Sequence, residues 1–179
     1  LEFRRVLFRS MTAIQSPKSI CELIRTVARL GKKAYFVSGV DPTADRIPAG
    51  KVVVDIGNVG TINEIEIAKD RVVIGTGLNL GRMVKETKGE NGLLRQAASL
   101  IANPLVRNRI TFLQSLDPES PYFDITTPLV LLEAKVRLQS ATGKKSISIR
   151  EYLEAVTKGL KKGELPTHIE FHKLPADHK

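Results

Sequence analysis

Residues with chemical capability are scattered along this sequence, and few stand at spacings that would let them act together. Gly75-Thr76-Gly77 follows an apolar run, as a phosphate-cradling loop would. It lacks the Gly-x-Gly-x-x-Gly spacing and precedes no long helix, so a tight turn is the reading from the residues alone. Arg107-Asn108-Arg109 has the composition of a solvated turn, and Ser120 and Asp124, ahead of an apolar segment, read as a turn residue and a helix cap. His168, His172 and His178 have no carboxylate or cysteine partners at zinc-ligand spacing, so no metal site is expected. Lys144-Lys145 and Lys161-Lys162 are solubilising charges. Cys21, beside the apolar positions of a helix, is expected to be a buried structural thiol. No nucleophile stands with a base, so no catalytic residue is assigned.

Composition narrows the classes further. The chain has 179 residues, of which 42% are hydrophobic, enough for one sizeable core or two small lobes packed together. A net charge of +9 would attract polyanions, but the positive residues form no single block, and aromatics are 5% with no Trp to stack on bases. Nucleic-acid binding therefore rests on net charge alone. One cysteine cannot build a disulfide framework or hold an iron–sulfur cluster, and a reducing, cytoplasmic compartment is expected. No stretch approaches the roughly 20 apolar residues of a membrane span. The first ten residues, LEFRRVLFRS, read as a non-native upstream segment, with a single domain over 11–179.

Periodicity supplies the elements that would position any site. Apolar residues three and four apart predict a helix over 17–31, with Ser16 as cap and Gly31 as stop. Strands are predicted at 34–38 and 51–56, the second apolar enough to have both faces covered, then a hairpin of 64–68 with 71–76. Helices follow at 80–86 and 94–101, the latter stopping before Pro104, and 105–120 is the least regular part. A short helix at 128–133, a hairpin of 135–140 with 146–149, a helix at 150–157 and a strand at 167–172 complete an α+β chain.

Four passages in this order carry a family resemblance. They are KVVVDIGNVGTINEI with DRVVIGTGLNLGRMV, then LLRQAASLIANPLVRNRIT, SPYFDITTPLVLLEAKVRL and GELPTHIEF. Together, over residues 20–171, they resemble the FAD-binding domain of molybdopterin dehydrogenases: the carbon monoxide dehydrogenase medium subunit, xanthine dehydrogenase and related molybdenum hydroxylases. The resemblance implies a two-lobed FAD-binding fold of the PCMH (vanillyl-alcohol-oxidase-like) type, with FAD between the lobes. It also implies electron transfer between iron–sulfur clusters and an external acceptor, in a heteromeric complex with a molybdenum-cofactor subunit and an iron–sulfur subunit. Such medium subunits continue into a smaller C-terminal domain, and the expectation from the resemblance is a chain without it.

The same resemblance names the cofactor-binding candidates. The family's first glycine loop, Gly-Gly-Thr-Asp, falls on Ser38, Gly39, Val40 and Asp41, and Gly75 matches the glycine of its Ile-Gly-Ala segment. Arg107 and Asn108 match an Ile-Arg-Asn motif, and Ser120 and Asp124 match Ser-Pro-x-x-Asp, where Asp124 would accept from a ribose or ribityl hydroxyl. The second glycine loop, Thr-Ile-Gly-Gly-Asn, falls on Thr111, Phe112, Leu113, Gln114 and Ser115, with both glycines replaced. If those glycines take positive φ, Leu113 or Gln114 would cost roughly 1–2 kcal/mol each and weaken FAD binding by ~10². The alternative is a degenerate member without FAD, acting as a scaffold or docking subunit.

Overall fold

The run of valine and isoleucine at 52–56 must be covered on both faces, and that requirement shapes the first of two lobes. The computed structural model describes residues 14–38, 47, 50–87, 92–161 and 163–173. Helix α1 (Ile20–Leu30) lies over a parallel pair, β1 (Ala34–Val37) and β2 (Val52–Asp55), in register from Ala34 opposite Val52 to Val37 opposite Asp55. Gln15 bridges the other edge of β2, its N–H donating to the Val53 carbonyl at 2.9 Å. Leu23 and Val27 of α1 meet Val54, Ile56, Val59 and Ile62 in a small core.

Two expectations for α1 are corrected. Its cap is Ser19, not Ser16, because Ser19 has Glu22 three residues on: the Ser19 hydroxyl accepts from the Glu22 N–H at 3.2 Å. Cys21 is exposed, since the buried stripe passes through Leu23, Ile24 and Val27 on the other side of the helix.

The second lobe is a five-stranded antiparallel sheet in the order β3-β4-β7-β5-β6, formed by β3 (Ile65–Ile67), β4 (Arg71–Gly75), β5 (Lys135–Ser140), β6 (Gly143–Ser148) and β7 (Leu165–His172). The last strand in sequence is the central one. Its Glu170 carboxylate binds a guanidinium from each neighbouring strand, Arg71 at 3.4 Å and Arg137 at 2.5 Å. The register shifts between Arg137 and Leu138, where Pro166, which has no N–H to donate, faces β5. β6 begins at Gly143, three residues earlier than predicted, so the turn narrows to Ala141-Thr142.

Helices α2 (Leu80–Glu86), α3 (Gly92–Leu100), α6 (Thr126–Leu131) and α7 (Ile149–Lys158) form the other layer of this lobe. Leu80, Met83, Leu94, Leu129 and Ile149 bury their side chains against Val72, Ile74, Val136 and Phe171 of the sheet. Ser148 caps α7 through a reciprocal pair with Glu151. The Ser148 N–H, and after it the Ser148 hydroxyl, hold the Glu151 carboxyl below its ordinary range.

The lobes meet where the 3-10 turn Gly60–Ile62 presses on the end of β4. A Cβ on Gly75 would lie 2.3 Å from the Ile62 carbonyl oxygen, and the Gly77 N–H donates to that oxygen at 2.7 Å. Glycine is required here by the approach of two backbones. Gly75→Ala is expected to destabilise the protein by about 1–3 kcal/mol in urea unfolding. Gly92→Ala, with nothing within 4 Å of the added carbon, serves as control; equal midpoints for the two variants would refute the contact.

Candidate functional site

The stretch expected to be least regular folds into two capped helical turns, α4 (Pro104–Arg107) and α5 (Phe112–Ser115). Asn103 caps α4, its side chain accepting from the Val106 N–H at 3.0 Å, with Pro104 in the first turn where no N–H is needed. Thr111 caps α5 in a reciprocal pair: its hydroxyl accepts from the Gln114 N–H at 3.2 Å, and Gln114 Oε1 accepts from the Thr111 N–H at 3.0 Å. Positive φ at Leu113 or Gln114 is therefore corrected. Among the described residues, non-glycine positive φ occurs at Ala102 and Glu133 only. The conformational cost does not arise, because the capping box holds both residues in the right-handed helical region.

α5 packs against β1 and against the 3-10 turn Phe123–Ile125. The Thr111–Ser115 segment thus stands against two other sequence-assigned pieces: the strand that Ser38 follows, and the turn that carries Asp124, which is exposed. Gly39, Val40 and Asp41 lie outside the described residues. Ser120 serves its own turn, its hydroxyl accepting from the Tyr122 N–H at 3.2 Å. Thr111 and Ser115 are fully buried, and the Ser115 hydroxyl donates to the Phe112 carbonyl at 2.9 Å.

The remaining candidates are engaged in internal contacts. Arg107 Nη1 donates to the carbonyls of Ile101 at 2.8 Å and Ala102 at 2.7 Å, pinning the left-handed Ala102 that follows α3. The Asn108 carboxamide lies over Gly81, where a Cβ would come within 2.0 Å of Oδ1. Gly75 accommodates Ile62, as above.

One residue acts in a way the sequence did not disclose. Leu113 belongs to the small core of the first lobe, while Phe112 and Leu116 on the same turn belong to the large core of the second. The backbone donors of the turn are also committed. Phe112 N–H donates to Leu78 at 3.0 Å, Leu113 N–H to Thr76 at 2.7 Å, and Ser115 N–H to Thr111 at 3.1 Å. Thr76, standing where the family has alanine, donates its buried hydroxyl to the Pro166 carbonyl at 2.7 Å. That substitution was the available signal for this tie between β4, β7 and α5.

Hollows of about 280 and 270 Å³ lie elsewhere, beside Arg95 and Arg107 and beside the β5–β6 turn. Both are shallow, and the first is lined by the candidates Arg107 and Asn108. Among the described residues no three His, Cys, Asp or Glu side chains gather to hold a metal, and no helix is long and apolar enough to cross a membrane.

The family described as the FAD binding domain in molybdopterin dehydrogenase matches residues 8–173. The chain belongs to that family. It is 26% identical over 164 residues to the alpha subunit of the 6-hydroxypseudooxynicotine dehydrogenase complex of Paenarthrobacter nicotinovorans, covering 88% of this chain and 55% of that protein. Its fold matches reconstituted CO dehydrogenase from Oligotropha carboxidovorans with a TM-score of 0.79 at 22% identity, over 92% of this chain and 60% of that one. Quinoline 2-oxidoreductase from Pseudomonas putida 86 matches with a TM-score of 0.73 at 22% identity, over the same shares of 92% and 60%. The chain thus spans little more than half the length of these relatives. The two-lobed α+β fold of the FAD-binding domain is the one expected from the sequence.

A flavin dinucleotide carries a doubly charged pyrophosphate, which backbone N–H groups meet only where side chains leave room. The second loop presents that group with neither unengaged donors nor glycine. Its N–H groups are committed within the protein and Leu113 fills the space toward the first lobe. Asp124 carries an exposed carboxylate, a group that accepts from hydroxyls, and α5, which packs on its turn, also packs on β1, after which Ser38 stands.

His168, on β7 opposite Gly75, adds a second tie near the lobe junction. Its Nε2 donates to the Thr61 carbonyl at 3.0 Å, and its Nδ1 lies 3.1 Å from the Thr167 hydroxyl. Burial pushes its pKa below 6.5; the Thr61 carbonyl opposes this, Arg137 and Lys144 add to it, and Glu64 opposes it. The unfolded chain then binds the proton more readily than the folded one, so this contribution is intact above pH 6.5 and is lost as pH falls through the folded value. His168→Gln is expected to flatten the acid-side decline of stability between neutral pH and the folded pKa. An unchanged pH profile in urea unfolding would show that His168 is not its source.

Proposed function

We propose that this chain is the flavin-domain component of a molybdenum hydroxylase-type oxidoreductase, assembled with a molybdenum-cofactor subunit and an iron–sulfur subunit and taking part in electron transfer to an external acceptor. The observation that supports the reading is the packing of α5 against both β1, which leads to Ser38, and the turn that carries Asp124, in a family-matched fold. When bound, FAD would supply the redox chemistry, and the protein would supply position and electrostatics. On this reading the Ser38–Asp41 loop meets the phosphates and Asp124 accepts from a hydroxyl of the sugar or ribityl chain.

A second reading, a flavin-free docking subunit that keeps the fold, is favoured by the committed donors of α5. Titration with FAD separates the two. The first reading predicts quenching of flavin fluorescence and the visible absorption of a bound isoalloxazine on adding FAD to the purified chain. Absence of both at high FAD would remove it in favour of the second.

A further inference from the structure

We propose that Leu113 sets how this chain holds flavin: its side chain joins the two lobes in the space a pyrophosphate would need, so that FAD binds loosely and exchanges, held without the second loop. This rests on the flavin reading above and specifies the state of that site.

The argument starts from a geometric property of a helical turn. Residues at i and i+4 share a face, and the residue after i points about 100° away. Phe112 and Leu116 are such a pair, both fully buried in the second lobe's core. Leu113 is consequently directed elsewhere, and it is 7% exposed among Leu23, Val27, Val54, Ile56, Val59 and Ile62. Among the described residues, it and Leu165 are the two that the second lobe contributes to the first lobe's buried core. A side chain so placed fills a volume between the lobes that cannot also hold a charged ligand, and a pyrophosphate against leucine would lose its hydration without gaining donors.

The backbone reinforces the exclusion. An N–H must be unengaged to serve a phosphate, and those of Phe112 and Leu113 point to the carbonyls of Leu78 and Thr76 in the segment after β4. Thr76 is itself held by its hydroxyl to Pro166, so the acceptor for Leu113 is fixed to the central strand. Freeing the Leu113 N–H would require breaking a contact that ties α5 to the sheet. Gln114, by contrast, is half-buried and occupied in the capping box, so it is not the residue that joins the lobes. This locates the effect at one of the two altered positions.

The test is equilibrium titration of the full chain with FAD and, separately, with riboflavin, which lacks the pyrophosphate. Each is followed by flavin fluorescence for the wild type, Leu113→Ala and Leu113→Gly. Leu113→Gly is expected to tighten FAD at least tenfold and to leave riboflavin unchanged, while its unfolding midpoint falls. If circular dichroism shows that the glycine variant does not fold, Leu113→Ala carries the test with a smaller gain in the same direction. Tight FAD binding by the wild type that neither variant improves would overturn the proposal and leave the flavin reading standing. Equal tightening of riboflavin and FAD would also overturn it, since the gain would then not concern the pyrophosphate. Failure of all three proteins to bind either flavin would overturn the flavin reading, and this inference with it.

Discussion

A single helical turn, Phe112–Ser115, is shared between two hydrophobic cores, and the relation of the two lobes depends on it. Phe112 anchors the turn in the larger core, Leu113 in the smaller one, and the Thr111–Gln114 box keeps the backbone helical so that both can be reached. The turn is too short to be stable alone. It persists because burial on two sides and hydrogen bonds to Leu78 and Thr76 hold it in place. Around it, the Gly60–Ile62 turn presses on Gly75, and His168 holds Thr61, so the junction is closed by backbone contacts as well as side chains.

Much of this architecture is legible in the sequence. β5 and α2 fall on the predicted residues because strict alternation in 135–140 and helical spacing in 80–86 leave little choice of period. The central position of β7 is not legible, since which strands flank it is decided by long-range pairing with Arg71–Gly75 and Lys135–Ser140. The regularity of 105–120 was missed because α4 and α5 are four residues each, too short to show a helical period. Their capping residues do stand in the sequence, Asn103 ahead of Pro104 and Thr111 three residues ahead of Gln114.

The candidate site was legible in part. The order of motifs names segments that α5 brings into contact, β1 and the Phe123–Ile125 turn, but not which residues within them face a ligand. Arg107 illustrates the difficulty: an arginine near a suspected phosphate site invites an electrostatic role, yet its guanidinium holds the carbonyls of Ile101 and Ala102 at the end of α3. Likewise, replacement of two glycines predicts a steric loss at both positions. The structure distinguishes them, because one side chain enters the other lobe's core and the other completes a cap. Family membership and a member's grip on its cofactor are therefore separate properties: the first follows from motifs spread along the fold, the second from a few backbone donors and the space before them.

Native-state hydrogen exchange at individual backbone amides tests this account most directly. If α5 is a committed junction between the lobes, the Phe112 and Leu113 amides exchange as slowly as those of β7, through global unfolding, and Leu113→Ala accelerates the Phe112 amide and the amide at position 113 more than those at the centre of the sheet. Exchange of the Phe112 and Leu113 amides at loop-like rates in the wild type would contradict it, because those donors would then be free to meet a phosphate.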